Sequence, residues 1–194
     1  MQHVLTPASR TINPYATWRG GFSEQELDSL QSIAQKANQS AQVGNGGAGE
    51  VNPTIRRADV NWVTNSQEFN WLFDRLGSIA SELNADYFGF DLIGFGEALQ
   101  FTNYLDSNQG TYGWHQDFGG KRVSRKLSLV LQLTCPSQYE GGNLEILTSG
   151  EAVKMPKERG LIVVFPAWTL HQVTPVTKGH RQSLVAWVSG PNFK

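Results

Sequence analysis

His115-Gln116-Asp117 is the first place in the chain where residue types and spacing suggest chemistry. Residues two apart on a strand point to the same side, so an imidazole and a carboxylate there can reach one metal ion. Alone, the pair also fits a surface turn. His171 stands 54 residues beyond Asp117, in a run that reads as another strand. Two imidazoles and one carboxylate form the facial set that holds non-haem Fe(II) and leaves coordination positions open. Open positions imply chemistry at the metal. A structural zinc site would be closed by four protein ligands, commonly several cysteines, and Cys135 is the single cysteine.

Arg181 follows His171 by ten residues, with Gln182 and Ser183 after it. On a strand the Ser183 hydroxyl shares the face of the guanidinium, a planar fork of donors suited to a carboxylate. The competing reading is an Arg paired with an Asp or Glu at a barrel mouth. Period two extends the same face to Val185 and Trp187, and two roles stay open for Trp187: packing a barrel interior or walling a substrate pocket. His180 has the opposite parity and is expected to be exposed and not a ligand; His3 is expected to be an unstructured terminal residue. Cys135, just before Pro136, reads as a small core residue. Lys121, Arg122, Arg125 and Lys126 place four positive charges within six residues, read first as a solvated rim and second as a steering patch for an acidic substrate.

These residues need elements to position them. Ser23 with Glu26 forms a capping-box pattern ahead of Leu27, Leu30, Ile33, Ala34 and Ala37, which predicts one amphipathic helix. Asn65 with Glu68 precedes Phe69, Leu72, Phe73, Leu76, Ile79, Ala80 and Leu83 at helical spacing, which predicts a second. Strand-type runs are read at 59–64, 99–105, 111–116, 127–133, 143–147, 151–154, 161–165, 169–174 and 182–188. The eight from 99 onward suggest a jelly roll, mostly β, with the N-terminal helices packed outside one sheet. Gly44-Asn-Gly-Gly-Ala-Gly49 matches a dinucleotide fingerprint in letters only: it follows a helix, and Val51-Asn52-Pro53 does not open the helix that would hold a pyrophosphate. It reads as a mobile loop.

The 194 residues suit one domain, divided here into supporting elements at 1–97 and a catalytic core at 98–190. Sixteen Lys plus Arg against seventeen Asp plus Glu leave a net charge of -1, so no global field favours nucleic acid. No secretory apolar segment is read before Arg10, and the longest strongly apolar run, residues 161–165, is far below the roughly 20 residues of a membrane helix. The expectation is a cytoplasmic protein that does not engage a membrane.

From about Ile55 to the C-terminus the chain resembles the Fe(II)- and 2-oxoglutarate-dependent dioxygenases of the prolyl 4-hydroxylase-like family. The resemblance rests on Arg56-Arg57, Tyr104, Tyr112-Gly-Trp-His115-Gln-Asp117, Tyr139-Glu-Gly-Gly-Asn-Leu144, Phe165-Pro166 and His171-Gln-Val-Thr-Pro-Val-Thr-Lys-Gly-His-Arg181. The Pro-Val-Thr-Lys-Gly-His-Arg stretch looks closest to bacterial hydroxylases associated with iron uptake. The resemblance implies that His115, Asp117 and His171 bind Fe(II), that Arg181 holds the far carboxylate of 2-oxoglutarate, and that Tyr104, Ser183 and Gln132 contact this cosubstrate. It places Tyr112, Trp187 and Arg57 on the substrate side. Many relatives carry Tyr where Gln132 stands, and an amide can still donate to a carboxylate. O2 is the co-oxidant, and ascorbate is the candidate reductant.

The implied reaction hydroxylates an unactivated C–H bond and releases succinate and CO2. Asp117 favours hydroxylation, because related halogenases carry a small residue in its place. Trp187 disfavours the nucleic-acid demethylases, which carry a second Arg at that spacing from the first. The expected substrate is a peptidyl proline in a protein or peptide. The alternatives are a free amino acid or other small metabolite, and a noncatalytic jelly-roll module that retains the metal site. The Gly44–Arg57 and Asp106–Gly113 loops are the candidate lids.

Overall fold

A computed structural model describes residues 12–44, 49–119 and 124–192. His3, Lys121, Arg122 and part of the Gly44–Gly49 loop lie outside them. Ser23 and Glu26 close a capping box ahead of α1 (Glu24–Gln35): the Ser23 N–H donates to Glu26 Oε2 at 2.8 Å, and the Glu26 N–H donates to Ser23 Oγ at 3.3 Å. Asn65 and Glu68 do not cap α2 (Asn70–Leu83). The N–H groups of Phe69 and Asn70 both donate to the Ser66 carbonyl, at 2.9 and 2.8 Å. A turn therefore leads into the helix, and Phe69 at the N-cap offers no side-chain hydrogen bond. Burial of Leu72, Phe73, Leu76, Ile79, Ala80 and Leu83 holds α2 instead, as expected where packing outweighs local signals.

The strands in chain order are β1 (Ala16–Trp18), β2 (Gln39–Ser40), β3 (Arg56–Arg57), β4 (Asp59–Val63), β5 (Gly94–Phe95), β6 (Leu99–Leu105), β7 (Thr111–His115), β8 (Arg125–Gln132), β9 (Tyr139–Gly141), β10 (Leu144–Thr148), β11 (Glu151–Lys154), β12 (Ile162–Pro166), β13 (His171–Val173) and β14 (Val176–Ser189). Among the described residues they make two antiparallel sheets. The larger runs β1-β12-β8-β14-β6-β4-β2, with β5 and β9 also paired to β14; the smaller runs β11-β10-β13-β7-β3. This is the jelly roll expected from the sequence, with β14 starting six residues earlier than its apolar run suggests.

Period-two alternation divides the core. Leu127, Leu129 and Leu131 on β8 and Leu184, Ala186 and Val188 on β14 face α1 and α2 in one apolar cluster. Val130 on β8, Val163 and Phe165 on β12 and Tyr104 on β6 face inward and meet Leu144, Ile146 and Val173 of the smaller sheet. The helices thus lie outside the larger sheet, and the space between the sheets is left for a site. Arg159 fastens α1 to the barrel, donating to Asp28 Oδ1 at 2.6 Å and to the Leu133 carbonyl at 2.9 Å. Among the described residues no helix is long and apolar enough to cross a membrane.

Candidate metal centre

The pairing of β13 with β7 sets His171 directly opposite His115. Asp117 lies just past the end of β7, where its N–H donates to the Ala167 carbonyl at 3.0 Å. This backbone bond turns the carboxylate toward the two rings. The ligand atoms of His115, Asp117 and His171 all lie within 4.8 Å of one another; His171 Nε2 is 3.6 Å from Asp117 Oδ2, and His115 Nε2 is 3.9 Å from Oδ1.

Each ring is oriented by the carbonyl two residues before it. Nδ1 of His115 donates to the Gly113 carbonyl at 2.8 Å, and Nδ1 of His171 donates to the Thr169 carbonyl at 2.9 Å. A carbonyl only accepts, so the hydrogen sits on Nδ1 and the Nε2 lone pairs are left for a metal. Burial, reinforced by the neighbouring His171, lowers the His115 pKa to about 3, so that ring is neutral at ordinary pH. Burial pushes the Asp117 carboxyl up, but the facing His171 and His115, the Ser128 hydroxyl and the Arg125 guanidinium outweigh it and hold the group below the usual carboxylate range. Ser128 Oγ donates to Asp117 Oδ2 at 2.7 Å. Two imidazoles and one ionised carboxylate on one side of a buried space fit a divalent metal that keeps open positions.

Arg181 lines the same cavity, which measures about 240 Å³. It is 1% exposed. Nη2 donates to Gln132 Oε1 at 3.1 Å, and Nη1 donates to Ser183 Oγ at 3.4 Å. Its Cζ stands 5.3 Å from the Tyr104 ring centroid, and its Nε is buried with no partner. Among the described residues no carboxylate lies within ion-pair distance of it, so the competing reading of an intramolecular pair does not hold. The orphaned donor suits an incoming carboxylate. Gln132 thus holds one nitrogen of the guanidinium in place. Gly142 makes room for Arg181: at φ +56°, a Cβ there would meet Arg181 Cδ at 3.0 Å.

Trp187 also lines the cavity, between the Arg125 guanidinium 3.9 Å from its ring and Trp62, whose ring centroid is 6.1 Å away. The Tyr112 ring stacks on His115 with centroids 3.5 Å apart. Arg57 turns away: it donates to the carbonyls of Asn108, Pro53 and Gln109 at 2.7, 2.9 and 3.0 Å. Neighbouring strand residues face opposite sides, and it is Arg56 that enters the cavity. These bonds also tie down the Asp106–Gly113 segment, along with the Gly179 N–H, which donates to Asp106 Oδ2 at 2.7 Å.

The solvated-rim expectation fails for Arg125 and Lys126, which are 1% and 2% exposed. Arg125 donates from Nε to Glu97 Oε1 at 2.6 Å, pairs through Nη2 with Glu97 Oε2, and donates from Nη1 to the Asp117 carbonyl at 3.3 Å. Strand parity alone places Arg125 with Leu127 on the helix side. A bulge between the Val188 and Ser189 pairings with β8 re-aims it inward.

Residues 99–189 match the model of the 2OG-Fe(II) oxygenase superfamily. A PKHD-type hydroxylase from Hyphomonas neptunium is 39% identical over 104 residues, covering 48% of this chain and 46% of that one. One from Stenotrophomonas maltophilia is 41% identical over 97 residues, covering 46% and 41%. The chain thus spans less than half the length of the curated relatives it matches. A Pseudomonas putida prolyl-4-hydroxylase superposes with a TM-score of 0.73 at 21% identity, covering 91% and 92% of the two chains. A Trichoplax adhaerens prolyl hydroxylase, solved with a hypoxia inducible factor peptide fragment, gives 0.77 at 14%, covering 92% and 84%. At these identities the two structures speak for the shared fold.

Proposed function

From the match of residues 99–189 to the 2OG-Fe(II) oxygenase superfamily we propose that the chain belongs to it and is a 2-oxoglutarate-dependent hydroxylase acting on a prolyl residue of a protein or peptide. The observation that carries the reading is the convergence of His115, Asp117, His171 and Arg181 on one cavity. The names of the relatives support the reaction class, and the prolyl hydroxylases among the similar structures support the substrate.

In this reading His115, Asp117 and His171 hold Fe(II), and Arg181 takes the distal carboxylate of 2-oxoglutarate. Bound there, Fe(II) with 2-oxoglutarate and O2 supplies a decarboxylation to succinate and CO2 coupled to oxygen insertion into a C–H bond. The chain's own contribution is positional. The carbonyls of Gly113 and Thr169 fix both imidazoles in the tautomer that exposes Nε2. Ser128 and Arg125 hold the Asp117 carboxylate ionised and in place. Gln132 and Ser183 keep the Arg181 fork aimed, and Tyr104 closes the space beside it. Val130, Leu144, Val185 and Trp187 line the cavity with apolar surface, which limits water around the reacting atoms. Tyr112 and Trp187 flank the substrate. Ascorbate as an external reductant and a cytoplasmic location belong to the same reading.

Anaerobic titration of the full chain with Fe(II) and 2-oxoglutarate tests it. The expected result is a weak visible charge-transfer band that needs both components. Folded protein without that band would overturn the proposal.

A further inference from the structure

Three guanidiniums converge on the cavity, from Arg56, Arg125 and Arg181. Arg125 has its counterion in Glu97, and Arg181 is the group assigned to the cosubstrate carboxylate. Arg56 has none. It is 8% exposed, and its polar contacts are with neutral acceptors: Nη2 donates to Gln100 Oε1 at 2.7 Å and Nη1 to the Gln42 carbonyl at 3.4 Å. Its Nε is buried without a partner, and its Cζ stands 4.4 Å from the Tyr112 ring centroid. Among the described residues no carboxylate lies within ion-pair distance of it. Residues 45–48 are Asn-Gly-Gly-Ala in sequence and carry no charge.

A buried cation with only neutral partners is costly to the fold, and the cost falls when an anion arrives. The charges around the cavity show what remains once metal and cosubstrate are in place. Around the cavity stand three guanidiniums and two carboxylates, Glu97 and Asp117, both of which pair with Arg125, with both imidazoles neutral as metal ligation requires. One positive charge is left over. Fe(II) and the 2-oxoglutarate dianion cancel, so loading the site leaves that surplus standing. We infer that the substrate carries a carboxylate and that Arg56 binds it. This rests on the hydroxylase reading and deepens it by naming a substrate class.

The position fits. Arg56 reaches the metal side through Tyr112, whose ring stacks on the ligand His115, so the guanidinium and the His115 ring are separated by no more than the sum of those two contacts. A carboxylate on Arg56 leaves a carbon a few bonds away beside the metal ligands. Two sources share this chemistry: a small free acid, such as an amino acid, and an acidic residue next to the reacting proline of a peptide.

Trp62 and Trp187 border the cavity, which makes intrinsic fluorescence a direct probe of occupancy. The full chain is loaded with Mn(II) and 2-oxoglutarate and titrated with matched pairs: N-acetyl-L-proline against N-acetyl-L-prolinamide, and the blocked peptide acetyl-Ala-Pro-Asp-amide against its Asn counterpart. At least one acid should bind about tenfold or more tightly than its neutral partner, a gap of about 1.4 kcal/mol; the pair that shows it identifies the source. Arg56→Gln should bring that ratio close to one, whereas Arg56→Lys, which keeps the charge, should retain part of it. 2-Oxoglutarate affinity, read by calorimetry, should stay within about threefold in both variants. Equal binding of acid and neutral partner, or no binding of either acid, in wild-type protein that still takes 2-oxoglutarate overturns the inference and spares the hydroxylase reading. Failure to take up 2-oxoglutarate at all overturns the hydroxylase reading, and the inference with it.

Discussion

His171 and His115 are direct cross-strand partners, and their ring centroids stand 4.1 Å apart. The antiparallel ladder thus performs the first step of building a metal site, and it does so through backbone hydrogen bonds that do not involve the imidazoles. Replacing His171 with Ala should remove the third ligand without melting the strand pair. Fe(II) affinity should fall by at least about 100-fold, with the far-UV dichroism unchanged. Retained affinity would remove His171 from the ligand set.

Arg181→Ala should separate cosubstrate from metal. Truncating one member of a buried charge pair costs about 2 kcal/mol or more, so 2-oxoglutarate should bind at least about thirtyfold more weakly, while Fe(II) binding changes little. Calorimetry of each ligand in turn gives the comparison. Equal loss of both would mean that Arg181 supports the metal rather than the cosubstrate.

Ser128 touches Asp117, not the metal space directly, so its effect should be graded. Ser128→Ala removes the hydroxyl that donates to Asp117 Oδ2 at 2.7 Å and should weaken metal binding by about 10- to 100-fold. Ser128→Thr keeps the donor and should restore most of the affinity. An Ala variant with wild-type affinity would show that Arg125 suffices to hold the carboxylate.

The metal-free protein should become more stable as pH rises from about 3 to 6.5. Burial and His171 hold folded His115 at about 3, against an ordinary 6.5. Between these values the unfolded chain binds the extra proton, which makes the slope positive. Asp117, whose folded carboxyl is held below its ordinary 3.8, adds stability above that value that is lost as pH falls. Urea unfolding across this range should show the rise, and His115→Asn should flatten its upper part. An unchanged slope in the variant would mean that another group carries it.

Gly142→Ala should act on the cosubstrate from a distance in sequence. The added Cβ would lie 2.9 Å from Val176 Cγ2 and 3.0 Å from Arg181 Cδ, at a φ of +56° that side chains rarely adopt. Stability should fall by about 1–3 kcal/mol, and 2-oxoglutarate affinity should fall with it. Destabilisation with intact cosubstrate binding would show that Arg181 can shift and still work.

Much of this site is legible in the residues because it follows period two. His115, His171, Arg181, Ser183 and Trp187 fall where strand alternation puts them, and β6 and β11 keep the limits that their composition suggests. Features that depend on a partner are harder to read. Arg125 enters the cavity because a bulge in the pairing of β14 with β8 reverses its parity. Nothing in Arg-Lys-Leu-Ser announces that bulge. Arg56 and Arg57 are equivalent as letters, and only the pairing of β3 with β7 decides which one faces inward. Strands of two or three residues, such as β2, β3 and β5, carry no periodic signal of their own. Asn65 and Glu68 have cap spacing, but the turn closed by Ser66 takes the helix start further along the chain.

β14 hydrogen-bonds to β5, β6, β8 and β9 and carries Arg181, Ser183 and Trp187. Its central amides should exchange with deuterium only when the whole barrel opens, since no smaller unit contains them. Cosubstrate held on this strand would slow that global opening and not merely quieten a loop. Occupancy of the site should therefore register across the protein as a higher unfolding temperature.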